Sequence, residues 1–178
     1  MNLLTEEKKE LKEMRFPQKT LSQLYNLIDV NDYHKHLKAK QNFIKQGKEI
    51  LPVMHKLMTS KYKVIRKEAI KIVRKIAHKS SIPAAIRMLK DPESEIRWIA
   101  AEALIKIGRI SIKPVLEALL ISGESYFMRQ GAHHVLRALI EEEDPKELRQ
   151  LIKVIRHGSE TPEKIPVKAA MVLEKEGL

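Results

Sequence analysis

The chain has 178 residues and no cysteine, so it can form no disulfide and offers no thiolate to a metal ion. The absence of cysteine fits a reducing compartment, and we expect a cytoplasmic protein. No apolar run approaches the roughly 20 residues that a membrane-spanning helix needs, so we expect no membrane partner. The charged opening "MNLLTEEKKELKEM" lacks the apolar core of a signal peptide.

Glycine and aromatic residues are also scarce. There are six glycines, the aromatic share is 4%, and one tryptophan stands against a hydrophobic share of 43%. No stretch alternates apolar and polar residues as a half-buried strand does, whereas apolar residues recur at helical spacing. Leu, Ile and Ala must therefore build the core, and the sequence predicts an all-α protein.

The residue patterns of catalytic and metal sites are missing too. His34 and His36 lie two positions apart, and His133 and His134 are adjacent. Neither pair has the i, i+4 spacing at which one helix face presents two metal ligands. The sequence has no glycine-rich phosphate loop and no nucleophile motif. We therefore expect a non-enzymatic protein without metal or cofactor.

Acidic residues are few in one region of the chain. Residues 33–90 contain 16 Lys and Arg against 2 Asp and Glu, whereas 91–178 contain 13 against 15; the formal net charge of the whole chain is +11. Such an asymmetry indicates the charge of a partner and says little about the fold. It favours either an acidic protein segment or a nucleic acid.

Prolines recur every 31 residues, at Pro52, Pro83, Pro114 and Pro145. Each precedes a short amphipathic segment, and proline is tolerated in the first turn of a helix, so each is predicted to begin the first helix of a unit. Fourteen or fifteen residues after each of the first three prolines comes an arginine that follows an apolar residue, and three residues after the arginine comes an alanine. These sets are Ile65-Arg66 with Ala69, Ile96-Arg97 with Ala100, and Met128-Arg129 with Ala132. A period of about 31 residues with two helices per unit is typical of a stacked helical array.

The "IR" pairs, the alanines that follow them, the loop Asp91-Pro92 and "EALIKIG" resemble the HEAT-repeat family, including its phycobilisome-lyase-like subgroup. The resemblance implies an α-solenoid of about five helical hairpins whose second, arginine-bearing helices line a concave face. We predict a single domain, 1–178, with an N-terminal capping helix in 1–17. The predicted repeat units are 18–47, 48–79, 80–108, 109–141 and 142–178. Because Arg66, Arg97 and Arg129 share one repeat position, we expect them to brace neighbouring units.

Two groups of HEAT-like enzymes have catalytic residues that can be compared with this sequence. HEAT-like deoxyhypusine hydroxylases carry His-Glu dipeptides, and this chain contains none. HEAT-like alkylpurine DNA glycosylases use a catalytic aspartate among several aromatic residues, whereas this chain has one tryptophan and few acidic residues near its basic half. Neither resemblance extends to the residues that would perform the reaction.

A basic stripe runs along the predicted helix "KYKVIRKEAIKIVRKIAHK", on a different face from its apolar residues. The stripe contains Lys63, Lys67, Lys71, Arg74 and His78. A solvated face is one interpretation of it, and a binding face for anions is the other. A helix that only needs to be soluble usually mixes charges of both signs, which these residues do not.

Trp98 is placed by the repeat, because a shift of one unit aligns it with Lys67 and Gln130, residue types that are rarely fully buried. We therefore expect Trp98 at the surface. The equivalents one and two turns further along complete a predicted partner-binding groove. Its residues are Lys67, Lys71, Arg74, Trp98, Glu102, Gln130, His134 and Arg137.

The sequence thus predicts a protein-interaction scaffold that binds an acidic protein segment in its groove. The alternative is a nucleic-acid-binding protein that uses the basic face of residues 33–90 on phosphates. The oligomeric state is not predicted.

Overall fold

The computed structural model describes residues 3–157 and 162–176, and all regular secondary structure in these ranges is helical. The predicted all-α class is therefore confirmed. The α-helices are α1 (Leu3–Glu13), α2 (Gln18–Ile28), α3 (Tyr33–Lys45), α4 (Leu51–Leu57), α5 (Lys63–Ile76), α6 (Ile82–Met88), α7 (Ser94–Ile107), α8 (Ile112–Ser122), α9 (Tyr126–Leu139), α10 (Lys146–His157) and α11 (Lys164–Glu176).

The chain divides into two compact units, Met1–Ile76 and Ala77–Leu178. The first contains α1 to α5 and the second contains α6 to α11. The division into one capping helix and five repeat units stays a prediction. The parts of it that fall on 1–2, 158–161 and 177–178 lie outside the described residues.

Three hairpins repeat the same local structure: α4 with α5, α6 with α7, and α8 with α9. A short 3-10 turn leads into the first helix of each hairpin, at Gly47–Ile50, Lys79–Ser81 and Arg109–Ser111. Pro52, Pro83 and Pro114 lie in the first turns of α4, α6 and α8, where a missing backbone N–H removes no helical hydrogen bond. The prediction that these three prolines begin first helices is confirmed.

The repeated arginine fastens the loop of its own hairpin. Arg97 Nη1 donates to the carbonyl oxygens of Asp91 and Pro92 at 2.7 and 2.9 Å. Arg129 Nη1 donates in the same way to Gly123 and Glu124 at 3.1 and 2.7 Å. These bonds satisfy loop carbonyls just before the second helix begins. Arg66 Nη1 donates likewise to Ser60 and Lys61 at 2.9 and 3.0 Å, so these hydrogen bonds of all three arginines stay within one hairpin. The expected bracing of neighbouring units is found for Arg97 alone among these contacts, through its guanidinium group over Phe127 of the next hairpin.

The last proline of the series has a different role. Arg149, in the first turn of α10, donates from Nη1 to the carbonyls of Glu142 and Glu141 at 2.8 and 3.4 Å. Moreover, α10 packs against the second helix α9, whereas α11 packs along the first helix α8. In its packing, α10 therefore takes the place of a second helix. The prediction that Pro145 begins a first helix is wrong, although its spacing matches the other three.

In the second unit, α7 and α9 lie side by side, and α6 and α8 pack less extensively. The core between the two layers is aliphatic, with Leu89, Leu104, Leu116 and Leu136 all fully buried. Gly131 on α9 allows close packing, since a Cβ there would lie 2.8 Å from Leu89 Cδ2. The neighbouring helices α7 and α9 form the surface on which the predicted tryptophan lies.

Candidate functional site

Trp98 lies on the side of α7 that faces away from the core. The buried residues of this helix include Ile96, Ile99, Ala100 and Leu104, whereas Trp98 is 58% exposed. The repeat register predicted this position because the equivalent residues are Lys and Gln. The surface location of Trp98 is confirmed.

The indole of Trp98 stacks on the imidazole of His134, which belongs to α9. The ring centroids are 4.4 Å apart and the ring planes are inclined by 33°. On its other side, His134 Nε2 lies 2.9 Å from Glu102 Oε1, so the imidazole is held between an aromatic ring and a carboxylate. Both the imidazole and the carboxylate are about one-third exposed. The stack and the hydrogen bond fix the orientation of Trp98 without burying it.

A surface cavity of about 270 Å³ opens beside this stack, between α7 and α9. Two small residues, Ala101 and Gly131, leave room for it, and none of the residues that line it carries a carboxylate. The lining residues are Ser94, Arg97, Trp98, Ala101, Phe127, Gln130, Gly131, His133 and His134. The cavity is therefore lined by aromatic rings, a guanidinium group and neutral polar groups.

Phe127 forms the second aromatic wall of the cavity. It is 39% exposed, and the guanidinium carbon of Arg97 lies 3.9 Å from its ring centroid. Arg97 therefore has two roles, since it fastens its own loop through Nη1 and covers the aromatic ring of the next hairpin. Phe127 was not among the predicted groove residues. It directly precedes Met128-Arg129, where Glu95 precedes Ile96-Arg97 in the previous hairpin, and this equivalence with a charged residue was the available signal.

The structure brings together the part of the predicted groove that belongs to the second unit. Trp98, Glu102 and His134 form one contact chain, and Gln130 lines the cavity next to them. Arg137 is exposed on α9, two turns beyond Gln130.

The three predicted residues of the first unit lie on α5. Lys67, Lys71 and Arg74 are each partly buried rather than fully displayed to solvent. Lys71 donates to Glu68 Oε1 at 2.8 Å, so part of its charge is neutralised. Lys71 is thus less available to an anion than the sequence suggested.

Glu68 is the centre of a charge cluster that the sequence analysis missed. Its side chain is only 2% exposed, and Lys40 Nζ donates to Oε2 at 3.1 Å. His36 Nε2 lies 3.6 Å from the same oxygen, while His36 Nδ1 donates to the carbonyl of Leu27 at 2.7 Å. Burial raises the pKa of Glu68, but the hydrogen bond from Lys71 and the charges of Lys40 and Lys71 outweigh it, so the pKa lies below its ordinary value.

Within residues 3–157 and 162–176, no group of three or more His, Asp or Glu side chains is arranged to hold a metal ion. In the same ranges, no helix is both long and apolar enough to cross a bilayer.

The chain is an all-α protein built from helical hairpins of the α-solenoid type. Exposed aromatic side chains lie between α7 and α9, the second helices of two successive hairpins. Residues 50–137 match the family model for HEAT repeats, and this segment corresponds to the three regular hairpins from α4 to α9. The match supports a HEAT-repeat protein. Comparisons with curated proteins and with solved structures gave no significant match. HEAT repeats generally act as protein-interaction scaffolds and are typically non-catalytic.

Proposed function

We propose that this chain is a non-catalytic scaffold that binds an acidic segment of a protein partner on the surface around Trp98. The observation that supports the proposal best is the exposed indole of Trp98, held by His134 at the edge of a cavity that no carboxylate lines. Exposed tryptophans that a partner can desolvate are frequent energetic centres of interfaces. Cytoplasmic location and the phycobilisome-lyase-like subgroup stay predictions.

The geometry favours binding because the side chains around Trp98 are already held in place before a partner binds. The imidazole of His134 is already hydrogen bonded to Glu102 and already stacked on Trp98. Fixing a side chain at an interface costs about 0.5–1.5 kcal/mol, and that cost is largely met in the free protein. The surface around Trp98 is therefore organised in advance.

The charge of the chain favours an acidic partner. Residues 33–90 carry 16 Lys and Arg against 2 Asp and Glu, a field that raises the rate at which an acidic segment arrives. In the second unit, Arg97 lines the cavity and Arg137 is exposed on α9. That Lys67, Lys71 and Arg74 contact the same partner stays a prediction.

Nucleic-acid binding through residues 33–90 is less favoured. Phosphate contacts require lysine and arginine side chains that are not already paired with a carboxylate. Each such contact makes the binding affinity depend more steeply on salt concentration. Lys40 and Lys71 are hydrogen bonded to Glu68, and Lys67 and Arg74 are partly buried. On α5, which carries most of the basic stripe, no aromatic residue is present to stack on a base.

The test is affinity capture from a nuclease-treated native lysate with the wild-type chain, Trp98→Ala and Tyr33→Ala. Tyr33 is a matched control, since it is an aromatic residue that is 65% exposed in the first unit. We expect a protein that is captured by the wild type and by Tyr33→Ala and is lost with Trp98→Ala. Capture that Trp98→Ala leaves unchanged, or that disappears with nuclease, would overturn the proposal.

A comparison of stability guards against a trivial loss of binding. Because the ring of Trp98 is 58% exposed, Trp98→Ala should lower the free energy of unfolding by about 1 kcal/mol, the value of one aromatic contact. Removal of a core tryptophan would instead cost about 3–5 kcal/mol. Urea denaturation followed by circular dichroism separates the two cases.

A further inference from the structure

We propose that the cavity between α7 and α9 receives one aromatic side chain of the acidic segment, between Trp98 and Phe127, and that Arg97 binds a carboxylate beside it. This inference rests on the proposed function and adds to it the identity of the anchoring residue. It is carried by the size of the cavity, by its two aromatic walls and by the free donors of Arg97.

The size of the cavity selects a single side chain. Its volume is about 270 Å³. Pockets for cofactors and drug-sized ligands run from about 300 to 1,000 Å³, so this cavity lies just below that range. A protein side chain that enters from a neighbouring segment is of suitable size.

The walls of the cavity select an aromatic group. Trp98 and Phe127 are 58% and 39% exposed, so each ring has a surface that a partner can cover. Both belong to the lining, together with the imidazole of His134. A third ring placed among them gains about 0.5–1.5 kcal/mol per aromatic pair beyond the burial of its area.

Arg97 accounts for the charge of the segment. Its Nη1 donates to two loop carbonyls, but its remaining N–H groups have no acceptor among the described residues. A guanidinium group held over Phe127 can offer these donors to a carboxylate next to the bound ring. Arg97 also disfavours a lysine or another cation in the cavity, because its guanidinium group carries a positive charge.

The test uses the emission of Trp98, the single tryptophan of the chain. The probes are amidated and acetylated peptides EEFEE, EEAEE, EELEE and KKFKK, which contain no tryptophan. Each is titrated into the wild type, Phe127→Ala, Arg97→Gln and the control Tyr33→Ala. We expect EEFEE to shift the emission to the blue, to protect it from iodide, and to bind at least tenfold more tightly than EEAEE and EELEE.

The variants assign the walls separately. Phe127→Ala should remove the tenfold advantage of EEFEE over EEAEE, while Arg97→Gln should weaken EEFEE and EEAEE alike; Tyr33→Ala should bind as the wild type does. Equal binding of EEFEE, EELEE and EEAEE would overturn the aromatic anchor yet leave the acidic-segment function in place. Binding of KKFKK in preference to EEFEE would overturn both. If EEFEE does not bind at millimolar concentration, the anchor is refuted, and the lysate experiment decides the proposed function independently.

Discussion

Removing the buried carboxylate of Glu68 is expected to destabilise the first unit more than any exposed charge removal would. Glu68 is 2% exposed and accepts hydrogen bonds from Lys71 and Lys40 at 2.8 and 3.1 Å. Breaking a fully buried ion pair by removing one partner costs about 3–5 kcal/mol. The ammonium groups here are 27% and 20% exposed and can turn partly to water, so we expect Glu68→Ala to cost about 2–3 kcal/mol.

The assay is urea denaturation at neutral pH, followed by helical circular dichroism, with thermal melting alongside. For a chain of this length, about 1 kcal/mol corresponds to roughly 2–4 °C, so Glu68→Ala should melt about 5–10 °C lower. Glu117→Ala is the matched control, because Glu117 is exposed on α8; it should stay within about 0.5 kcal/mol of the wild type.

The dependence on pH tests the electrostatic cause. The pKa of Glu68 is lower in the folded chain than in the unfolded chain, so its contribution is fully present above the unfolded value of about 4.3. That contribution is lost as the pH falls through the folded pKa. The stability difference between the wild type and Glu68→Gln, which does not titrate there, should be constant near neutrality and shrink below about pH 4. An unchanged difference at acidic pH, or a Glu68→Ala protein as stable as the wild type, would refute the reasoning.

Three further predictions concern the backbone and the loops. Ala77 has a φ of +51°, and the equivalent residue one repeat later is Gly108, with a φ of +97°. Ala77→Gly should therefore stabilise the protein by about 0.5–1 kcal/mol, and Gly108→Ala should destabilise it by about 1–2 kcal/mol. Urea denaturation measures both changes, and the opposite signs would contradict the repeat equivalence. Asp144 accepts two hydrogen bonds from Arg109 at 2.6 and 2.9 Å, which lower the pKa of Asp144. Asp144→Ala should therefore reduce the free energy of unfolding by about 1–2 kcal/mol at pH 7 and by progressively less below about pH 4. A reduction that does not depend on pH would exclude the ion pair as its source. Arg129→Ala should reduce the free energy of unfolding by about 1–2 kcal/mol, because two loop carbonyls lose their hydrogen-bond donor. Amide hydrogen exchange should become faster in the loop before α9, and unchanged exchange there would argue against the loop-fastening role.

The sequence alone was sufficient to predict the regular hairpins and the location of Trp98. Prolines and arginines at a constant spacing define the register, and the register places Trp98 where Lys67 and Gln130 stand in neighbouring units. Polar residues at equivalent positions mark the outer side of a helix. The prediction of a surface tryptophan followed from that comparison, and the structure confirms it.

The charge cluster around Glu68 could not be predicted from the repeat. Lys40 and His36 belong to α3, 28 and 32 residues before Glu68, where the repeat pattern is weak. A count of charged residues does not reveal that a buried carboxylate lies beside Lys71. Lys71 was therefore predicted to be available to a partner.

The exchanged packing of the last two helices has a similar cause. The spacing of Pro145 agrees with that of Pro52, Pro83 and Pro114, and spacing alone assigns it to a first helix. Only the packing of α10 against α9 and of α11 along α8 shows that the segment behaves as a second helix. Proline is compatible with either position, since both are the start of a helix.

The most direct test of the proposed binding surface is the ¹⁹F NMR spectrum of the chain labelled with 5-fluorotryptophan, which gives one resonance because Trp98 is the single tryptophan. In the free protein we expect a clear solvent isotope shift in D₂O, since the ring is 58% exposed. Addition of the captured partner, or of EEFEE at saturation, should move the resonance and remove most of that isotope shift. A resonance that keeps its position and its isotope shift when the partner is bound would contradict the account, because the partner would then bind elsewhere.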